Sequence, residues 1–127
     1  MYKHHAIYES KQLDLKVNVI TKLNQGKYEF GTVDLIDLDN VNIVEYEYGQ
    51  VSANAGRASY EYIEEAVRLY NEDDLNIIAT SPINKEALKA GKVPFIGHTE
   101  ILGHLTHSND PLTCFAVDSL KVFFLSR

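Results

Sequence analysis

The residues best equipped for chemistry fall in two short segments, Thr80-Ser81-Pro82-Ile83-Asn84-Lys85 and Gly97-His98-Thr99-Glu100. The first brings two hydroxyls, an amide and an ammonium into a loop that leads to a short helix. Free backbone N–H groups at a helix start, joined by Ser81, Asn84 and Lys85, could receive a phosphate or carboxylate. The same residues also have an ordinary use, in which Ser81 or Asn84 caps the helix and Lys85 sits in water. The second segment places a histidine just ahead of a helix whose N-cap is expected at Thr99. An imidazole there can donate to an anion, and its neutral form can move a proton near neutral pH. The plain alternative is a loop histidine bonded to a backbone carbonyl. Glu100 is explained by the favourable placement of an acid at a helix N-terminus.

The remaining reactive side chains carry weaker signals. His104 and His107 are three residues apart and share a helical face, which permits metal binding. No third ligand or paired carboxylate stands at a supporting spacing, so they read as solvated surface histidines. His4 and His5 are adjacent and point different ways on any regular element. Cys114 lies in an apolar run, where a buried, inert thiol is expected. Neither a glycine-rich dinucleotide fingerprint nor a Walker A lysine loop is present.

Positioning these groups requires a scaffold, and the hydropathy pattern supplies one. Leu13–Leu23 alternates apolar and polar residues through Val19, as a half-buried strand does. Asn24-Gln25-Gly26-Lys27 reads as a turn, and Gly31–Asp39 as a second strand running into a loop. Val44, Tyr46 and Tyr48 alternate with Glu45 and Glu47 before Gly49, which gives a short third strand. From Ala53 to Tyr70 the residues Ala55, Tyr62, Ile63, Ala66, Val67 and Tyr70 draw an apolar stripe on a helix, with Ser52 as its N-cap. Leu75–Ala79 is a β-branched run of the kind buried in a parallel sheet. A short helix over about Asn84–Ala90 ends at Gly91, and another runs from Thr99 to about His107. Thr113–Val117 and Leu120–Leu125 are two further apolar runs. Helices interleaved with strands argue for an α/β domain with a substantially parallel or mixed sheet.

Bulk composition narrows the function classes. The chain has 127 residues, 45% hydrophobic and 24% charged, with a formal net charge of −6. That is material for one ordinary domain, and the apolar content is too high for a disordered chain. A surplus of acid disfavours nucleic acid, whose binding depends on lysine and arginine meeting phosphates. The apolar runs fall far short of the roughly 20 residues of a membrane span. No signal-peptide core follows the N-terminus, and the single cysteine cannot form an internal disulfide, so a reducing, cytoplasmic compartment is expected.

Taken in order, Gly49-Gln-Val-Ser-Ala-Asn-Ala-Gly56, Ile78-Ala-Thr-Ser-Pro-Ile-Asn-Lys-Glu-Ala87 and Val93-Pro-Phe-Ile-Gly-His-Thr-Glu-Ile-Leu102 resemble the 4-hydroxythreonine-4-phosphate dehydrogenase family of vitamin B6 biosynthesis. The resemblance covers Gly49 to Arg127 by motif and Met1 to Tyr48 by position. It implies an α/β fold like that of isocitrate and isopropylmalate dehydrogenases, a homodimer with two domains per subunit and a mixed, largely parallel sheet. Residues 1–127 would then be a single partial α/β domain of a longer enzyme. The implied reaction is oxidation of a phosphorylated hydroxy acid by NAD or NADP, after which the β-keto acid loses carbon dioxide. A divalent metal such as Zn, Mg or Co would act as Lewis acid.

The residues matching His98 and Thr99 bind substrate in that family. The metal histidines have no counterpart here, the first being expected just after Arg127, and the family's opening strand and glycine loop have none before Met1. The chain alone is therefore expected to be inactive. D-Threonate or D-erythronate 4-phosphate dehydrogenases of the same family form an alternative. A stand-alone α/β binding or dimerisation module that has kept the motifs without the chemistry forms another.

Overall fold

Two strands, β1 (Lys16–Ile20) and β2 (Thr32–Ile36), pair in parallel with Lys16 opposite Thr32 and Ile20 opposite Ile36. The computed structural model describes residues 13–42, 47–72 and 75–124. The chain divides into two units, Met1–Tyr46 and Glu47–Arg127. In the first unit, Ile20 and Leu35 stand on opposite faces of the strand pair and both are buried. Each face therefore has one anchor, in keeping with the tendency of parallel strands to be covered on both sides.

No α-helix makes the connection between these strands. A single 3-10 turn over Leu23–Gln25 does so, held by Gln25 Oε1, which accepts from Thr21 N–H (2.8 Å), Thr21 Oγ1 (3.0 Å) and Lys22 N–H (3.2 Å). The return to β2 is fixed by Asp34. Its carboxylate accepts from Asn18 Nδ2 on the neighbouring strand (2.6 Å) and from the backbone N–H groups of Lys27 (3.0 Å) and Tyr28 (2.9 Å). The Asn18 amide, then these two backbone donors, hold the Asp34 carboxyl below its usual range. Hydrogen bonds to the ionised form are the cause. They also secure Tyr28 in a left-handed conformation (φ 52°).

The second unit contains α1 (Ala53–Glu72), α2 (Lys85–Ala90), α3 (His98–Leu105) and the strands β3 (Cys114–Val117) and β4 (Leu120–Phe123). Ser52 Oγ accepts from Ala55 N–H (3.2 Å), the cap expected from its position. Asn84 likewise caps α2, accepting from Ala87 N–H at 2.9 Å. Helices α1 and α2 cross closely at Gly56, where a Cβ would lie 1.9 Å from the Ala87 carbonyl oxygen. Only a residue without a side chain fits there. The crossing seals a core of Ile63, Val67, Leu88, Val93 and Ile101, with Leu88 and Ile101 fully buried. Outside it, Arg57–Glu61, Arg68–Glu65 and Arg68–Glu72 pair along α1. Arg68 is the main reason the Glu65 carboxyl sits below its usual range.

The structure departs from the sequence-based expectations at several places. Leu75–Ala79 is not a strand: it is unpaired, Ile77 is 82% exposed, and only Ile78 packs against the core. A strand buried on both faces needs neighbours on its edges, and no described strand lies beside it. The apolar stripe of α1 is correct at Ile63 and Val67, but Tyr70 is exposed, while Ala58 and Leu69, on the other side of the helix, are buried. The two C-terminal apolar runs form an antiparallel hairpin across Asp118-Ser119. The described sheets are thus one parallel and one antiparallel pair, a mixed α/β arrangement. Cys114 is exposed because both faces of that hairpin are exposed. Of the proposed strand at Val44–Tyr48, Val44 to Tyr46 lie outside the described residues, as do His4 and His5, and Tyr48-Gly49 form a turn.

Candidate functional site

One cleft in the second unit, about 790 Å³, brings the two chemistry-bearing segments together. Pro82, Ile83 and Lys85 line it from the α2 side, and Ile96, Gly97, His98, Thr99 and Glu100 from the start of α3. Each segment is held from behind by packing. Leu88 anchors α2 to α1, and Ile101, one turn into α3, anchors the other wall in the same core.

The start of α3 is arranged differently from the expectation. Its N-cap is Gly97, with extended backbone (φ −172°) and no side-chain cap, so Thr99 lies within the first turn rather than before it. Glu100 reaches back instead, its Oε2 accepting from Ile96 N–H at 2.7 Å. This fixes the loop and places a carboxylate at the positive end of the helix. The first-turn N–H groups of a helix have no intrahelical acceptor. The residues of this first turn line the cleft, and Thr99 is exposed.

His98 is the most informative residue. Its Nε2 is buried and, among the described residues, is the one buried side-chain polar atom without a hydrogen-bond partner. Leaving such an atom unsatisfied costs about 1–3 kcal/mol. His98 itself lines the cleft.

The first loop splits. Asn84 is occupied as the α2 cap, and Ser81 is exposed and outside the cleft lining, whereas Lys85 lines the cleft. His104 and His107 are not brought together on a helical face, because α3 ends at Leu105 and His107 adopts a left-handed turn conformation (φ 54°). His104 packs its ring on Phe95 with centroids 4.9 Å apart, and Phe95 stacks on Tyr60 at 5.9 Å. Burial, then Glu64, pushes the Tyr60 phenol up. Among the described residues, no three of His, Cys, Asp and Glu converge as a metal site, so they do not fit a bound metal ion.

Pro111, Thr113 and Phe124 complete the cleft and were not apparent from sequence. Phe124 N–H donates to the Thr113 carbonyl at 3.1 Å, so the hairpin's return carries Phe124 to the cleft. A local motif cannot register that contact, because it depends on pairing across the hairpin.

The chain is 53% identical over 116 residues to a Fusobacterium nucleatum protein and 51% identical over 114 residues to one from Halalkalibacterium halodurans, both provisionally named D-threonate 4-phosphate dehydrogenase. The matches cover 91% and 90% of this chain but 35% and 34% of the relatives, so the chain spans about a third of their length. Among solved structures it is similar to a 4-hydroxythreonine-4-phosphate dehydrogenase from Burkholderia phymatum (TM-score 0.77, 39% identity, 86% of this chain and 33% of that one). It is also similar to the enzyme of that name from Klebsiella pneumoniae (TM-score 0.79, 31% identity, with the same two coverages). A family model described as pyridoxal phosphate biosynthetic protein PdxA matches residues 2–127, and the chain therefore belongs to the PdxA family.

Proposed function

We propose that the protein carrying this segment is a dehydrogenase of a phosphorylated four-carbon hydroxy acid, and that the cleft at the start of α3 holds the substrate. The carrying observation is that His98, whose Nε2 is buried without a partner, lines one cleft together with Thr99 and the first turn of α3. The two most similar relatives reported above favour D-threonate 4-phosphate. The solved structures, at lower identity, favour 4-hydroxythreonine-4-phosphate as the second reading.

Oxidising a secondary alcohol removes a hydride from carbon and a proton from oxygen, and NAD or NADP would supply the hydride acceptor. The described residues would do the holding. His98 Nε2 would exchange a hydrogen bond with a substrate oxygen, Thr99 Oγ1 would donate or accept beside it, and the open α3 N–H groups would favour an anionic end. Pro82, Ile83 and Lys85 would form the facing wall. Such fixed contacts convert a diffusional encounter into a positioned one.

In keeping with the family resemblance, the complete enzyme would be a cytoplasmic homodimer with an isocitrate dehydrogenase-like two-domain fold. Residues 1–127 would be one partial α/β domain of it. The divalent metal would be held by residues outside those described.

The test is steady-state kinetics of the intact protein with D-threonate 4-phosphate and 4-hydroxythreonine-4-phosphate. His98→Ala should raise KM or lower kcat at least tenfold for the preferred substrate, and unchanged kinetics would refute its role. Reading the coding DNA on both sides of this segment separates enzyme from module: in-frame continuation into a metal-binding histidine supports the enzyme, and a stop codon after Arg127 supports the module.

A further inference from the structure

We infer that Lys85 is a specificity-determining residue of this cleft, supplying the positive charge that selects an anionic group on the ligand. The inference rests on the functional reading above and assigns it a second wall. The cleft is lined by one basic side chain, Lys85, and one acidic side chain, Glu100. Glu100 is committed to the Ile96 N–H and opposes an anion at the helix start. The attraction due to α3 is thereby reduced, and an anionic ligand needs a cation from elsewhere.

Lys85 is that cation. Its neighbours on α2, Glu86 and Lys89, do not line the cleft, and the three described ion pairs use only Arg57 and Arg68. No carboxylate neutralises Lys85 among the described residues. Its backbone is also rigidly placed. Asn84 caps the helix directly before it, Leu88 is fully buried one turn later, and the close approach at Gly56 locks that turn against α1. An ammonium on a flexible stem rooted in this fixed turn, lining the same cleft as His98, can donate to a phosphoryl or carboxylate oxygen there. The shared chemistry is an anionic oxygen cluster, and the two sources differ in which end of the hydroxy acid provides it.

Isothermal titration of the protein with D-threonate 4-phosphate, with D-threonate and with inorganic phosphate tests the assignment. Circular dichroism confirms that each variant is folded. Lys85→Gln should weaken D-threonate 4-phosphate binding at least tenfold, with Lys85→Arg staying within about threefold of the unsubstituted protein. Loss confined to D-threonate 4-phosphate and inorganic phosphate assigns the phosphoryl end, and an equal loss for D-threonate assigns the carboxylate. Either result supports the role of Lys85. Binding by Lys85→Gln within twofold of the unsubstituted protein overturns it, provided His98→Ala weakens binding. If His98→Ala binds normally, or the unsubstituted protein binds none of the three ligands, the functional reading fails first.

Discussion

Gly56→Ala should destabilise the protein, although in an ordinary exposed helix the same change is stabilising. Alanine is favoured over glycine within a helix by up to about 1 kcal/mol. At this position the added Cβ would lie 1.9 Å from the Ala87 carbonyl oxygen, 2.2 Å from its carbon and 2.7 Å from the Leu88 nitrogen. Carbon–oxygen contacts begin near about 3.3 Å, so α1 and α2 would have to separate by more than an ångström. All three obstructing atoms are backbone, and no rotamer change can relieve them. Overpacking of this kind costs about 1–3 kcal/mol, and backbone obstruction puts it at the upper end. Net of the helix preference, the loss is about 2 kcal/mol, or roughly 10 °C in melting temperature for a domain of this size.

Thermal unfolding followed by far-UV circular dichroism reads the effect. Gly97→Ala is the matched control, because its Cβ meets nothing within 4 Å and its backbone is extended. Gly97 is the α3 N-cap, where alanine is less favourable than glycine, so that variant should lose about 0.5–1 kcal/mol, half or less of the Gly56→Ala loss. An unchanged or raised melting temperature for Gly56→Ala would refute the close crossing, and with it the rigid base assigned to Lys85.

Three further outcomes follow from the packing and hydrogen bonding. Leu88→Ala empties a fully buried position at the centre of the core and should cost about 2–5 kcal/mol in urea unfolding; a loss below 1 kcal/mol would contradict the core assignment. Asp34 is held below its ordinary value in the folded state, so its stabilising effect is present above the unfolded value and is lost as pH falls through the folded one. Amide exchange at Lys27 and Tyr28 should therefore accelerate below about pH 4 relative to intrinsic rates, and Asp34→Asn should remove that pH dependence. Cys114 is exposed and should react completely with a thiol reagent in native buffer, whereas a buried thiol would wait for denaturant.

The legible parts of the fold are those fixed by local patterns. Ser52 and Asn84 announce their helices because a short polar side chain before an apolar repeat has one main use, and β1 and β2 are visible through alternation. Leu75–Ala79 is misread because a continuous apolar run does not state whether neighbours will pair with its edges. Thr99 is mistaken for the cap because glycine at 97 leaves no side-chain signal, while Glu100 performs the tethering from inside the helix. Cys114 is misjudged because an apolar run implies burial only where something covers it. In the site, His98 and Lys85 are visible as residues, but their convergence, and the walls added by Thr113 and Phe124, depend on tertiary packing.

The central claim is that the cleft at the start of α3 receives the phosphorylated hydroxy acid. Titrating D-threonate 4-phosphate into 15N-labelled protein tests it most directly, through two-dimensional amide and imidazole spectra. Saturable shifts at His98 Nε2 and at the His98 and Thr99 amides, with Asp34 and its neighbours unmoved, are the predicted result. Saturation elsewhere with the His98 ring nitrogen unperturbed would contradict it.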